Sequence, residues 1–124
     1  TADMLIVALR DGEVPMFVSM FSKMTALGEP VIGRLLFEHE GEGLAIACRG
    51  AEIGRIAFIS IFALAQKMRA ENDDAVHRRL ASALDTYDLF LPASAAEVLE
   101  QWRKGADYVG SIRTIEYRLR RPNA

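Results

Sequence analysis

Glu38, His39, Glu40 and Glu42 place an imidazole and three carboxylates within five consecutive positions, donor types that can hold a divalent cation. A closed metal site needs donors converging from fixed elements, and this stretch matches no HExxH, cysteine-cluster or calcium-loop pattern. It therefore reads as a solvated acidic turn. Cys48 beside Arg49 has a second chemical prospect, because a neighbouring guanidinium stabilises a thiolate. A cysteine nucleophile also needs a base. The histidines are His39 and His77, neither in a Cys and His signature, and Ala45, Ile46 and Ala47 predict a buried, inert thiol. His77, next to Arg78 and Arg79, reads as a surface residue. These residues predict no catalytic group, no metal and no cofactor.

The C-terminal end mixes cations with aromatics. From Gln101 onward Arg103, Lys104, Arg113, Arg118, Arg120 and Arg121 face only Asp107 and Glu116, with Trp102, Tyr108 and Tyr117 between them. Nucleic-acid binders combine charge and stacking in this way. The whole chain is nevertheless slightly acidic, with a net charge of −2, and from Thr1 to Glu52 four basic residues meet eight acidic ones. The arginines read first as a solvated last helix whose cations suit the negative end of its own dipole. Nucleic-acid contact through Arg113, Arg118, Arg120 and Arg121 is the alternative, and an anionic membrane surface is less favoured.

Met16, Met20 and Met24 recur every fourth residue, interleaved with Phe17 and Phe21. Methionine is soft and adaptable, which suits a surface that meets a protein partner. Phe17 and Phe21 share an inward face with Val14 and Val18, leaving methionines toward solvent or a second subunit. Core packing is the commoner use of such a stripe, and the alternative makes these three methionines the candidate protein interface.

The elements that carry these residues are all helical, since apolar residues recur at three and four throughout and no alternating run is bounded by hairpin turns. A first helix, 2–10, ends at Asp11-Gly12, where glycine can take the left-handed conformation. A second, 14–25, ends before Gly28. Pro30 introduces a short third, 31–37, and 44–49 is a fourth. A long one follows at 52–69, apolar on every side from Ile53 to Ala65, which predicts that it is the covered, central helix. Its thirteen residues, with Arg55 and Ser60 as the only polar interruptions, are too few to cross a bilayer. An amphipathic sixth, 75–90, carries Val76, Leu80, Leu84, Tyr87 and Leu91 as one stripe. Ser94 and Glu97 form a capping-box pattern for a seventh, which runs to Gly105. The last carries Val109, Ile112, Ile115 and Leu119 before Pro122.

About eight short helices joined by tight turns predict an all-α fold without β-sheet, built as stacked antiparallel hairpins of HEAT type or as a small orthogonal bundle. The 124 residues, 51% hydrophobic, suit one domain that buries about two thirds of its unfolded surface without disulfides or metal. One cysteine and no signal-like opening predict a reducing cytoplasm. The chain starts at Thr1 without an initiator methionine, as expected of a processed protein or a piece of a longer one.

Three stretches, LRDGEVPMFVSMFSKMTALGEPVIGRLL, GEGLAIACRGAEIGRIAF and LPASAAEVLEQWRKGADY, resemble the uncharacterised alphaproteobacterial family known as domain of unknown function 2336. The positions that carry the resemblance are Leu9, Gly12, Glu13 and Phe17, then Gly43 and Leu44, then the apolar run from Ile56 to Leu64. They are packing and turn signals, and the resemblance transfers no catalytic residue. It implies a helical, repeat-like domain of a bacterial cytoplasm, here as the C-terminal portion of a longer chain whose first hairpin would present an apolar face. The function expected is a non-enzymatic protein-interaction or regulatory scaffold module, with a homodimer as one form of that interaction.

Overall fold

A computed structural model describes residues 1–37, 40–68 and 73–104. Among them the chain forms seven helices and no strand: α1 (Ala2–Arg10), α2 (Val14–Thr25), α3 (Glu29–Phe37), α4 (Glu42–Gly50), α5 (Arg55–Lys67), α6 (Asp73–Leu89) and α7 (Pro92–Arg103). The all-α expectation holds. The eighth helix expected around Val109 to Leu119 lies outside the described residues.

Local chemistry explains most boundaries. Thr1 accepts the Met4 N–H and opens α1, and Gly12, at φ 74°, turns the chain into α2 as its lack of a Cβ permits. Helix α2 closes at Ala26, which itself takes the left-handed conformation at φ 58°, two residues before the glycine expected to do so. Thr25 stabilises this end by donating its hydroxyl to Phe21 O and accepting the Leu27 N–H. The capping box at Ser94 does not form. Helix α7 starts at Pro92 with Leu91 as its N-cap, because proline's fixed φ suits a first helical position and needs no N–H partner there, so Ser94 is already helical.

The central helix is α4, and this corrects the expectation for the long apolar run. Every residue from Glu42 to Cys48 is buried, with α6 and α7 as the main neighbours of α4 and α3 and α5 beyond them. Gly43, Ala45, Ala47 and Cys48 have little or no side chain, so other helices approach from all sides. At Gly50 a Cβ would meet the α7 backbone at Ala95 and Ala96, both at 3.1 Å. Helix α5 is one-sided: Phe58, Ile61, Phe62 and Ala65 are buried, whereas Ile56 is 80% exposed. Leu91, expected on the stripe of α6, is likewise exposed.

An aromatic row joins α5 to α6. Phe58 stacks on Tyr87 with ring centroids 5.4 Å apart and sits 6.1 Å from Phe62. The Tyr87 hydroxyl donates to Ile53 O at 2.8 Å, and the Arg49 guanidinium lies 4.9 Å over its ring. Arg49 also donates to Phe90 O at 2.8 Å, tying α4 to the end of α6. At the opposite side α1 packs on both α2 and α5, and the outer surfaces of α1 and α2 face away from the core.

Candidate functional site

The expected chemical groups do not converge. Glu38 and His39 lie outside the described residues, Glu40 is exposed, and Glu42 is buried in the first turn of α4. For Glu42 the solvated-turn reading is therefore corrected: its position one residue after the Gly41 N-cap carries it into the interior with α4. Among the described residues no three His, Cys, Asp or Glu side chains gather closely enough to hold a metal ion. His77 is exposed on α6, as expected.

Cys48 is buried and unpaired, and desolvation pushes its thiol well above the ordinary range. Burial of the neutral form has a consequence for pH. The folded chain holds the thiol proton more tightly than the unfolded one. This contribution to stability is complete below the ordinary thiol pKa of about 8.5 and is lost above it, by up to about 1.4 kcal/mol per pH unit. We expect urea midpoints to fall from about pH 8 to about pH 9.5 and the same interval to be flatter in Cys48→Ala. A thiol reagent should modify Cys48 only on unfolding, and immediate modification of the native chain would contradict this.

A concave feature of the described surface lies on the first hairpin. Met4, Val7 and Ala8 of α1 and Met16 and Met20 of α2 line a groove of about 250 Å³, and Asp3, Asp11 and Glu13 complete its lining. Its origin is local. Leu5, Ala8 and Leu9 are the buried positions of α1 and Phe17, Phe21 and Thr25 those of α2, with the two phenylalanine rings stacked 5.3 Å apart. Met4 and Val7 precede that face on α1, and Met16 precedes it on α2. The tight turn Asp11-Gly12-Glu13 lays the two leftover stripes side by side. Met4 is 57% exposed, Met16 52% and Val7 46%.

Of the three methionines expected at an interface, Met16 is exposed and lines the groove, Met20 is half-buried and lines it, and Met24 is half-buried without lining it. The α1 half, Met4 and Val7, was missed together with the three carboxylates. Its signal was present, since ADMLIVALR has more apolar residues than one buried stripe needs. Among the cations expected to contact nucleic acid, Arg113, Arg118, Arg120 and Arg121 lie outside the described residues. Arg103 is engaged within the fold, donating to Thr25 O at 2.8 Å and to Glu100 at 3.3 Å.

The groove offers apolar area and negative charge but no nucleophile paired with a base. The sequence profile of a family described as an uncharacterised protein conserved in bacteria, DUF2336, matches residues 1–100. The chain belongs to the DUF2336 family. The matched part of this DUF2336 chain contains every residue that lines the groove and the whole of α4. No curated protein and no solved structure matches the chain. No described helix of this DUF2336 chain is long and apolar enough to cross a membrane.

Proposed function

We propose that this DUF2336 chain is a non-enzymatic protein-interaction module of the helical-hairpin, HEAT-like kind. Its α1–α2 groove receives an amphipathic helix of a partner protein whose apolar stripe is flanked by Arg or Lys. The observation that carries this reading is that one groove is lined both by apolar side chains, exposed Met4, Val7 and Met16 with half-buried Met20, and by the acidic residues Asp3, Asp11 and Glu13. An amphipathic helix laid in an apolar groove is a recurring recognition mode. Methionine adapts to the shape of what it meets, and opposite charge at the rim sets orientation and association rate. Arg10, exposed on the last turn of α1, stands outside the groove lining. A cytoplasmic location is part of the proposal, in keeping with a single unpaired thiol.

The test uses the whole chain and two helical peptides with one apolar stripe, flanked by lysine in one and by glutamate in the other. The lysine peptide is expected to bind and to perturb the Met4 and Met16 methyl signals, and Met16→Asp should weaken it by about tenfold or more, as loss of an apolar anchor does. Equal binding of the two peptides, or binding indifferent to Met16→Asp, would overturn the reading. Nucleic acid captured instead, with affinity falling steeply as salt rises, would transfer the function to the C-terminal arginines.

A further inference from the structure

We infer that Met4 and Met16 form a reversible oxidation site whose sulfoxides close the α1–α2 groove to a partner helix. This rests on the reading of the groove as a docking surface, and it adds the regulation of that surface.

The first observation is where the thioethers stand. Three of the five methionines, Met4, Met16 and Met20, line a single groove. Met4 and Met16 are each more than half exposed, whereas Met20 and Met24 are half-buried. Oxygen transfer to a thioether needs the oxidant in contact with the sulfur, so the exposed pair reacts ahead of the half-buried one. Met68 is also exposed but stands outside the groove lining, which makes it an internal control. The Cys48 thiol is buried in α4, so a mild oxidant reaches the groove and leaves the hub of the fold alone.

The oxidant is a peroxide. One peroxide oxygen bonds to Sδ as the O–O bond breaks, the sulfur loses two electrons, and hydrogen peroxide is reduced to water. Methionine sulfoxide reductases reverse the step, taking the oxygen off as water while two thiols are oxidised to a disulfide. An exposed position on an open groove gives such an enzyme access to both sulfoxides.

The second observation is what surrounds the new oxygen. A sulfoxide is a polar acceptor, and the described side chains that share the groove with Met4 and Met16 are Val7, Ala8, Met20 and the carboxylates Asp3, Asp11 and Glu13. None of these donates a hydrogen bond to it: the first three lack a donor, and carboxylates accept. In the open groove water donates instead. A helix laid over the two sulfurs expels that water while presenting its apolar stripe, so the oxygen loses its partner, and burying a polar group in that way is costly. The fold is spared, because the buried positions of these helices are Leu5, Ala8, Leu9, Phe17, Phe21 and Thr25. Oxidised Met4 and Met16 simply stay in water.

The experiment treats the whole chain with hydrogen peroxide, reads each methionine by mass spectrometry after digestion, and titrates the lysine-flanked peptide before and after. Met4, Met16 and Met68 should be oxidised before Met20 and Met24, with the helical circular dichroism unchanged. Peptide affinity should fall by about tenfold or more, the effect of one polar group buried without a partner. It should return when the two sulfoxide reductases, one for each epimer, act on the folded chain. Bound peptide should slow oxidation of Met4 and Met16 and leave that of Met68 unchanged. The double variant Met4→Leu with Met16→Leu keeps an apolar floor and should hold the peptide through the same treatment, whereas Met68→Leu should lose it as the parent does. Undiminished affinity once Met4 and Met16 are oxidised would overturn the inference and leave the docking surface standing. The same holds for an equal loss in the double variant, for a loss the reductases do not reverse, and for a loss accompanied by unfolding. If the peptide does not bind the reduced chain, the docking surface and its switch fall together.

Discussion

Gly41→Ala is expected to lower the stability of the chain by about 2–5 kcal/mol. Gly41 is the N-cap of α4 and holds φ at 79°, a conformation that costs an L-residue with a Cβ about 1–2 kcal/mol. A Cβ there would also overlap the Phe62 ring and meet the Ala83 Cβ at 3.3 Å. Both neighbours are fully buried, so neither can move into solvent, and overpacking of this kind costs about 1–3 kcal/mol. Gly12 supplies the control, because it shares the left-handed backbone at φ 74° but has nothing within 4 Å of its Cβ position. Gly12→Ala should therefore show only the backbone term of about 1–2 kcal/mol. Urea unfolding of the two variants and the parent, compared at constant slope, measures the difference. Equal losses at the two glycines would mean that α4 yields where Gly41 meets Phe62, contrary to a hub packed on all sides.

Phe58→Ala should cost about 3–5 kcal/mol, the range for removing a buried aromatic side chain. Phe58 is fully buried between Phe62 and Tyr87. Its loss opens a cavity where α5 meets α6, and it removes the stacking surface under a tyrosine that is already committed to Ile53 O. A double-mutant cycle of Phe58→Leu with Tyr87→Leu should give a coupling of about 0.5–1.5 kcal/mol, as aromatic pairs do beyond their buried area. Additive losses would show that the two rings contribute area alone. Met16→Asp should leave thermal stability nearly unchanged, since Met16 is 52% exposed. Core and groove are thus separable by experiment: aromatic variants lose the fold, and groove variants lose the partner.

The distinction matters for how the groove is supported. Its α2 half stands on Phe17 and Phe21, stacked beneath it and fully buried, and its α1 half stands on Leu5 and Leu9, with α1 in turn resting on α5. The methionines are therefore presented by rigid helices, while their own side chains remain adaptable. Arg103 adds a link from α7 to the end of α2, which makes the first hairpin part of the same body as the helices around α4.

Much of the architecture was legible in the residues. Apolar recurrence at three and four, the glycine after Asp11 and the proline at the start of the third helix determined the order and most boundaries of the seven described helices, because these signals act within a few residues of chain. The family was legible for the same reason: its turn and packing signals are local. Phe17 and Phe21 were placed correctly on the inner face of α2, and the burial of Cys48 followed from its small apolar neighbours.

What local signals could not decide was which apolar helix stands in the middle. The run from Ile53 to Ala65 is the more hydrophobic, yet the centre belongs to α4, whose Gly43, Ala45, Ala47 and Cys48 let α6 and α7 close around it. Covering a helix on all sides depends on how near its neighbours can come, and that distance is set by side-chain size on both partners. The groove has the same origin. Met4 and Val7 are surplus apolar residues of α1 and Met16 of α2, and each alone is an ordinary exposed side chain. Only the antiparallel pairing of the two helices brings them onto one floor and gathers Asp3, Asp11 and Glu13 around it. Sequence by itself determined the helices and their inward faces. Tertiary packing decided which helix is the hub and which leftover side chains form a surface, because both depend on contacts between residues far apart along the chain.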